Sequence, residues 1–401
     1  MKFNKGLLKG GLILLVAFGI FNFLHFLFQL FMARMLSISD YGILATLFSI
    51  IYILSVLTES IQIIIAKYSA GAVDNGKLKD LLKRSFGKAL YPSLFLFVIY
   101  ILLAIPLSYV LKIDFLLLLF SSMIIFLAIF IPINRGIMQG RERFRSLSLN
   151  MIVEASIKLV IGILFVYLGF RVYGAITGVL FGGFFALLLS FVQLTDIIKF
   201  KRTKMETPDI YGYAKPAFII TAITVIFYSL DIIIAKIFFP SEIAGYYALS
   251  SILGKIIFWG TLPIGKAMFP MSASKSLEKD KSKNLFLNAF GTVIFCILAA
   301  LVMFYVFSGP IIKIFSGRVI SESASILFYV GIAFSFISIT NLILLYKLSL
   351  GKVKRYLNLF IFIIIEILLL SYFSKNLLQY SIAFMTASAI FLWGVVMMMK
   401  D

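Results

Sequence analysis

The sequence has few charged residues: 13% are charged, 62% are hydrophobic, and the mean hydropathy is +1.08. Soluble globular domains are about 25% charged. A chain of 401 residues with this composition has too little polar surface to face water on all sides. The composition excludes an ordinary soluble domain and indicates that lipid is the main solvent of the chain.

Cysteine and histidine are almost absent. Cys296 is the single cysteine, so the chain cannot form an internal disulfide. His25 is the single histidine, no Cys/His cluster is available to bind a metal, and no Walker A sequence indicates ATP hydrolysis. No connection between apolar segments is long enough for a catalytic domain, which typically needs ~50 residues or more. We therefore expect neither a cofactor nor enzyme activity.

Long apolar runs account for most of the chain. A membrane-spanning helix needs about 20 apolar residues. The first run follows Lys2, Lys5 and Lys9 as in a signal peptide, but it continues to about Met35, which is too long for one. The twelve predicted spans are 10–35, 42–65, 88–110, 115–138, 148–168, 173–195, 214–238, 246–270, 286–307, 323–346, 356–373 and 379–398.

Acidic residues are scarce beside basic ones, 17 against 37, which gives a formal net charge of +20. The basic residues form short clusters between apolar segments and no continuous patch, so we do not expect nucleic acid as a partner. Twenty-five of them lie at the two termini and in alternate connections, and only six lie in the opposite connections. By the positive-inside rule, both termini are predicted to be cytoplasmic in a multi-pass protein of the cell membrane.

One motif occurs twice, about half the chain length apart: residues 33–42 read ARMLSISDYG and residues 235–245 read AKIFFPSEIAG. The aligned pairs are Ala33 and Ala235, Arg34 and Lys236, Ser39 and Ser241, Asp40 and Glu242, and, after one inserted residue, Gly42 and Gly245. Each copy connects one apolar segment to the next. The repeat indicates that the chain is a duplication of one helical unit.

Six predicted spans in each half give the two copies the same orientation, which makes a parallel repeat. Such a repeat is typical of a two-lobed transporter whose pathway lies between the lobes. We predict an all-α membrane protein with an N-terminal six-helix lobe at 1–196, a cytoplasmic linker at 197–213 and a C-terminal six-helix lobe at 214–401.

Polar side chains follow helical spacing in the first two spans of each half, which indicates one polar face per helix. Equivalent helices that face each other would enclose a polar cavity. Alternatively, the same side chains act as hydrogen-bonding contacts between helices. The stripes are Asn22, His25 and Gln29; Tyr52, Ser55, Glu59 and Gln62; Thr221, Thr224, Tyr228 and Asp231; and Ser251, Lys255 and Lys266.

Charged residues at membrane depth are costly and usually face protein or water. Glu154 and Lys158 lie four residues apart, which fits a self-neutralised pair. We expect Arg135 and Lys215 to anchor span ends, and Glu366 to be either protonated or paired across helices. The charged groups at depth are basic Arg34, Lys158, Lys236, Lys255 and Lys266, and acidic Glu59, Glu154, Asp231 and Glu366. This slight cationic excess suits a phosphate or pyrophosphate group.

Four motifs in order carry a family resemblance: ARMLSISDYG at 33–42, RGIMQGRERF at 135–144, LDIIIAKIFFPSEIAGYYALS at 230–250 and AMFPMSASK at 267–275. The chain resembles the polysaccharide-type, Wzx-like flippases of the MOP superfamily, which are related to MurJ-type lipid II flippases and MATE exporters. The resemblance covers about residues 7–355. Fourteen spans are usual in MurJ-type members, so twelve predicted spans disfavour lipid II as the substrate.

The resemblance implies a V-shaped pair of bundles that works by alternating access on a polyprenyl-(pyro)phosphate-linked oligosaccharide. The predicted partners are this lipid-linked glycan, the bilayer and polysaccharide-assembly proteins, and the predicted functional state is a monomer. Substrate-binding candidates are Arg34, Asp40, Lys158, Asp231, Lys236, Glu242, Lys255 and Lys266. Candidates for H⁺ or Na⁺ coupling are His25, Glu59, Glu154 and Asp231.

Two alternatives stay open at this point. A MATE-like exporter of small cations shares the fold but should have a more acidic, aromatic cavity. A membrane glycosyl-polymerase or ligase needs a large outer loop, and the longest predicted one, 308–322, carries only Lys313, Arg318 and Glu322 as charged residues. The sequence therefore favours the flippase.

Overall fold

The computed structural model describes residues 5–72, 74–205, 211–272, 279–351 and 356–398, and this part of the chain is helical without any strand. A π-helical segment covers 166–170 and a 3-10 segment covers 356–359. The helices are α1 (Lys5–Met35), α2 (Ile38–Ala70), α3 (Asn75–Leu111), α4 (Phe115–Ser121), α5 (Ile124–Gly140), α6 (Phe144–Phe165), α7 (Arg171–Gln193), α8 (Thr195–Ile198), α9 (Tyr211–Phe238), α10 (Ser241–Ser272), α11 (Lys279–Val306), α12 (Ser308–Ser316), α13 (Ser321–Ser349), α14 (Phe360–Tyr372) and α15 (Leu377–Met398).

Ten helices in the described part of the chain are long and apolar enough to cross a membrane. One of them, Phe144–Gln193, runs for 50 residues, or roughly 75 Å, against a hydrocarbon core of about 30 Å. Its backbone is interrupted at Gly169, where φ is 92°, so α6 and α7 coincide with two of the predicted spans. The segment Tyr356–Tyr372 is a shorter apolar helix. The all-helical membrane fold is confirmed, whereas the count of twelve crossings stays a prediction.

The chain divides into two compact units. The first unit comprises 1–36 and 54–210, and the second comprises 37–53 and 211–401. The first half of α2 therefore groups with the second unit and its second half with the first. The predicted lobes at 1–196 and 214–401 differ from this assignment at residues 37–53, which group with the second unit.

In the first unit, α6 and α7 pack closely because α7 carries glycines at the contact. A Cβ atom at Gly178 would lie 2.6 Å from the carbonyl oxygen of Lys158, and one at Gly182 would lie 2.7 Å from that of Glu154. Small residues at such crossings allow backbones to approach in membrane helices. This contact fixes the position of the α6 segment that carries Glu154 and Lys158.

In the second unit, α10 packs against α13, and α13 packs against α15. A Cβ atom at Gly254 would lie 2.6 Å from Phe334 Cδ2, so only glycine admits this ring beside α10. The Phe334 ring in turn meets Phe384 edge-on at 5.4 Å, and Phe227 meets Phe391 at 4.7 Å. These aromatic contacts build an apolar core around the polar groups of α9 and α10.

The repeated motif forms the same two-residue turn between helices twice. Corresponding backbone hydrogen bonds are 203 positions apart, since Leu36 corresponds to Phe239 and Tyr41 to Ala244. The bonds are Leu36 N to Met32 O, Phe239 N to Ala235 O, Tyr41 N to Ser37 O, and Ala244 N to Pro240 O, all between 2.8 and 3.0 Å. In this register Gly42 still pairs with Gly245, whereas Arg34 corresponds to Ile237 and Lys236 to Ala33. The predicted equivalence of the two cations is therefore wrong, as is that of Asp40 and Glu242.

Candidate functional site

A buried ionic cluster lies in the second unit around Asp231 of α9. The Asp231 side chain is fully buried, and its Oδ1 atom accepts a hydrogen bond of 3.1 Å from Lys255 Nζ. Its Oδ2 atom accepts from the Ser251 hydroxyl and, at 3.3 Å, from the Tyr247 hydroxyl. The three donors are spaced by four residues along α10, so they share one helix face. Three donors on one face of α10 thus provide the hydrogen bonds of the Asp231 carboxylate on α9.

Tyr380 of α15 completes this cluster. Its hydroxyl donates a 2.6 Å hydrogen bond to the backbone oxygen of Asp231, and its ring meets Tyr247 edge-on at 4.9 Å. Lys255 Nζ also lies 5.5 Å from the centroid of the Phe334 ring, a distance at which a cation is attracted to the ring face. Four helices, α9, α10, α13 and α15, hold the ion pair.

Glu366 of α14 is a second acidic group at this cluster. It is fully buried, and neither carboxyl oxygen has a hydrogen-bond partner among the described residues. Asp231 and Lys255 are near enough to act on it electrostatically. A carboxylate buried without compensation costs several kcal/mol. The sequence left pairing across helices open for Glu366, and the described residues form no ion pair with it.

A second cluster lies in the first unit around Arg135 of α5. Its guanidinium donates to Asn150 Oδ1 at 2.8 Å through Nε and to Glu154 Oε2 through a terminal nitrogen. Asn150 also donates to the backbone oxygen of Ala186 at 2.7 Å. Arg135 is only 8% exposed, so its assignment as an interfacial anchor is wrong. Asn150 and Glu154 lie one turn apart on α6, and each offers one acceptor to the planar guanidinium group of Arg135.

Lys158 lies one turn further along α6 and contacts α1. Its Nζ atom is 3.1 Å from His25 Nδ1 and 4.4 Å from the centroid of the Phe28 ring. Glu154, which was predicted to pair with Lys158 alone, forms an ion pair with Arg135 and also interacts electrostatically with Lys158. Two basic side chains, Arg135 and Lys158, and one carboxylate, Glu154, therefore take part in this cluster.

The other predicted site residues lie near helix ends or on exposed faces. Lys236 is buried and donates a 2.7 Å hydrogen bond to Ser241 Oγ, while the exposed Glu242 accepts one of 2.7 Å from the Tyr246 hydroxyl. Asp40 is buried in the first turn of α2. Exposed positions hold Arg34, Glu59 and Lys266. The structure thus joins Asp231 with Lys255 in the second unit, and Lys158 with His25 in the first.

Tyr247 and Tyr380 of this cluster were not predicted as site residues. The spacing of Tyr247, Ser251 and Lys255 is a visible signal, since three polar residues recur every four positions. Tyr380 offers no such signal, because it is 149 positions from its partner Asp231. The described residues contain no group of three or more His, Cys, Asp or Glu side chains placed to hold a metal ion.

Comparison with known proteins gives a family and a fold. The family model described as "Polysaccharide biosynthesis protein" matches residues 31–325. An inward-facing MATE family multidrug resistance transporter of the MOP superfamily is similar at a TM-score of 0.75 and 14% identity, covering 95% of this chain and 94% of that chain. The lipid II flippase MurJ in an inward closed conformation is similar at a TM-score of 0.71 and 16% identity, and the match covers 97% of this chain and 88% of that chain.

A MOP superfamily transporter from Pyrococcus furiosus is also similar, at a TM-score of 0.62 and 14% identity, covering 99% of this chain and 96% of that chain. No curated protein sequence matches the chain. The structural likenesses establish the fold, and the sequence model matches well over half of the chain. The chain therefore belongs to the polysaccharide biosynthesis protein family, and it has the fold of membrane transporters of the MOP superfamily.

Proposed function

We propose that this protein is a flippase that moves a polyprenyl-(pyro)phosphate-linked oligosaccharide from the inner to the outer leaflet of the cell membrane, by alternating access, for cell-surface polysaccharide biosynthesis. The observation that carries the proposal is the polysaccharide biosynthesis family match over residues 31–325. The similarity in fold to a lipid II flippase is in accord with a lipid-linked glycan as cargo. Partner proteins would be those that make and polymerise the glycan.

The basic side chains of the first-unit cluster support an anionic cargo. Lys158 adds a second basic group beside the ion pair of Arg135 and Glu154, and its Nζ atom lies close to His25 and to the Phe28 ring. A cation in a low-dielectric environment attracts phosphate strongly. We assign Lys158 to (pyro)phosphate attraction, with Arg34, Lys236 and Lys266 as further cationic candidates.

The second-unit cluster supports proton coupling over Na⁺ coupling. Sodium sites are built from oxygen ligands, but Asp231 here already holds the ammonium of Lys255, which repels another cation. Glu366 carries the transported proton in this proposal, because its oxygens have no hydrogen-bond partner among the described residues. The groups that interact with it electrostatically are Asp231 on α9, Lys255 and Tyr247 on α10, and Tyr380 on α15. His25, Glu59 and Glu154 stay candidates for coupling.

Leaflet translocation of a labelled lipid-linked oligosaccharide in proteoliposomes tests the flippase. The protein should accelerate translocation, and Lys158→Met should slow it at least tenfold, which corresponds to ~1.4 kcal/mol. Arg145→Gln is the matched control, because Arg145 is an exposed cation on the same helix, α6. Export of a small organic cation without any lipid translocation would overturn the proposal in favour of a MATE-like exporter.

An imposed pH gradient tests the coupling. Glu366→Gln keeps the size of a protonated glutamate but cannot exchange a proton. Translocation by the wild-type protein should respond to the gradient, and that by Glu366→Gln should not, while both proteins purify as folded monomers. A response that persists in Glu366→Gln, or one driven by sodium alone, would remove Glu366 from this role.

A further inference from the structure

Residues 199–205, which we call the clasp, lie against the first turns of α3 in the first unit. Lys79 Nζ donates to the Phe200 carbonyl at 2.8 Å, and Thr203 N donates to the Gly76 carbonyl at 3.2 Å. A Cβ atom at Gly76 would lie 2.5 Å from Thr203 Oγ1. The described half of the predicted linker is therefore a fixed structure at the start of α3.

Asp80 holds the clasp from within α3. Its side chain is 1% exposed and accepts hydrogen bonds from Met205 N at 2.9 Å, from Arg202 Nε at 2.6 Å and from Arg84. Met205 itself packs into an apolar cluster with Leu78. Two guanidinium groups are thus oriented around one carboxylate at the surface of the unit.

A cavity of about 330 Å³ opens here, lined by Asp80, Arg84, Arg202 and Lys204. Among the residues that the structure describes, these three cations and one carboxylate leave two positive charges in excess. Among the described residues, Arg202 uses only Nε for its side-chain bond to Asp80, and the Lys204 side chain has no protein acceptor. Donor groups in this cavity are therefore available to an anion.

The same face of α3 continues from the cavity as an exposed apolar stripe. Tyr91 is 83% exposed, Phe95 66%, Val98 51% and Leu102 61%. With Arg84, these positions are spaced by seven, four, three and four residues, which places them on one side of the helix. An apolar face left uncovered in a membrane protein lies against acyl chains, and tyrosine is favoured at the level of the head groups.

We propose that the clasp cavity binds the phosphate of an anionic phospholipid, whose acyl chains lie along the stripe Tyr91, Phe95, Val98 and Leu102. Arg84, Arg202 and Lys204 contact the phosphate, and Asp80 orients the two guanidinium groups. A zwitterionic head group brings its own cation, which the excess positive charge disfavours. The basic connections around α3 are predicted to be cytoplasmic, where anionic lipids attract such clusters.

Binding is tested on the full-length protein in nanodiscs of phosphatidylglycerol or phosphatidylcholine, by thermal unfolding and by counting retained lipid with native mass spectrometry. Phosphatidylglycerol should raise Tm and stay bound. Arg202→Gln/Lys204→Gln should lose the gain in Tm, with retention weakened about fivefold per cation removed. Lys67→Gln/Arg145→Gln is the control, because it removes two exposed cations from basic connections predicted to lie on the same side.

Lys204→Gln alone keeps every hydrogen bond of Asp80, so its loss of retained lipid cannot be ascribed to unfolding of the clasp. Equal Tm values in the two lipids, or equal losses in the test and control variants, would overturn the proposal. Inorganic phosphate added in detergent separates the sources of phosphate: if it reproduces the gain in Tm, the ligand is a soluble phosphate and not a lipid. The measurement uses no transport, so it stands apart from the test of flipping.

Discussion

Gly42 and Gly245 meet through their backbones within the second unit. A Cβ atom at Gly42 would lie 3.0 Å from Gly245 Cα, and one at Gly245 would lie 2.2 Å from the Ile38 carbonyl oxygen. These are the two glycines of the repeated motif, in the first turns of α2 and α10. Glycine at both positions lets these two turns approach more closely than any side chain would allow.

Gly245→Ala is expected to destabilise this contact, because the new methyl group meets a backbone carbonyl that cannot rotate away. Overpacking of this kind typically costs about 1–3 kcal/mol, which should appear as a lower Tm in detergent. Gly42→Ala should have a smaller effect, since its closest contact is 3.0 Å.

Gly260→Ala is the matched control on the same helix, because a Cβ atom there has no neighbour within 4 Å. It should leave Tm unchanged or raise it, since alanine favours the helix by up to ~1 kcal/mol over glycine. Equal Tm values for Gly245→Ala and Gly260→Ala would show that the close approach carries no energetic weight.

Lys255→Met should be strongly destabilising, by roughly 3–5 kcal/mol, because it leaves the buried Asp231 carboxylate without its counter-ion. Asp231→Asn/Lys255→Met should recover much of that loss, since no uncompensated charge is left. Chemical unfolding in mixed micelles measures the four corners of the cycle, with the exposed Lys266→Met as the control for loss of a cation on α10. Additive effects of the two substitutions would contradict the ion pair.

The partner of Glu154 can be identified in the same way. A double-mutant cycle on Arg135→Gln and Glu154→Gln should give a coupling of at least ~1 kcal/mol, because the two groups share a charge-assisted hydrogen bond. The cycle on Lys158→Met and Glu154→Gln should give a smaller coupling. A larger value for Lys158 would restore the local pair that the four-residue spacing predicts.

A pH effect is expected outside the spans, at Arg143 and Asp196. Hydrogen bonds from the Arg143 guanidinium, one of them 2.8 Å long, lower the pKa of Asp196 from its ordinary value. A depressed carboxyl pKa contributes stability that is present above the unfolded pKa of about 3.9 and is lost as the pH falls through the folded pKa. Tm should therefore be insensitive to this pair at pH 5–7 and fall below pH 4.

Asp196→Asn should remove that part of the acid sensitivity while it leaves other carboxyl groups in place. The effect is expected to be small, since the Asp196 side chain is 50% exposed and water screens the interaction. Identical dependence of Tm on pH for Asp196→Asn and the wild type would show that this ion pair makes no contribution to stability.

Periodicity predicted the features that depend on local sequence. Apolar runs gave the positions of the helices, because each run must cover the length of a span. The stripe that ends at Asp231 and the spacing of Ser251 and Lys255 predicted polar faces on α9 and α10, and the structure places these three side chains in contact.

Periodicity did not predict the contacts between helices that are distant in the sequence. Arg135 was predicted to be an interfacial anchor because its partners lie on another helix, α6, 15 and 19 residues further along the chain. The register of the repeat was shifted by one, because similar residue types at Arg34 and Lys236 outweighed a turn geometry that only backbone hydrogen bonds reveal. Pairing across helices is set by packing, which one sequence does not encode as a visible pattern.

The division of α2 has a consequence for any attempt to split the protein. Residues 37–53 group with the second unit although they precede most of the first, and Tyr41 packs edge-on against Phe315. A fragment made of 211–401 alone would lack these residues, and the complementary fragment would carry them with nothing of the second unit to fold upon. Both halves of the chain are therefore needed to complete the second unit. The two copies of the duplicated sequence thus do not correspond to two halves that could fold separately.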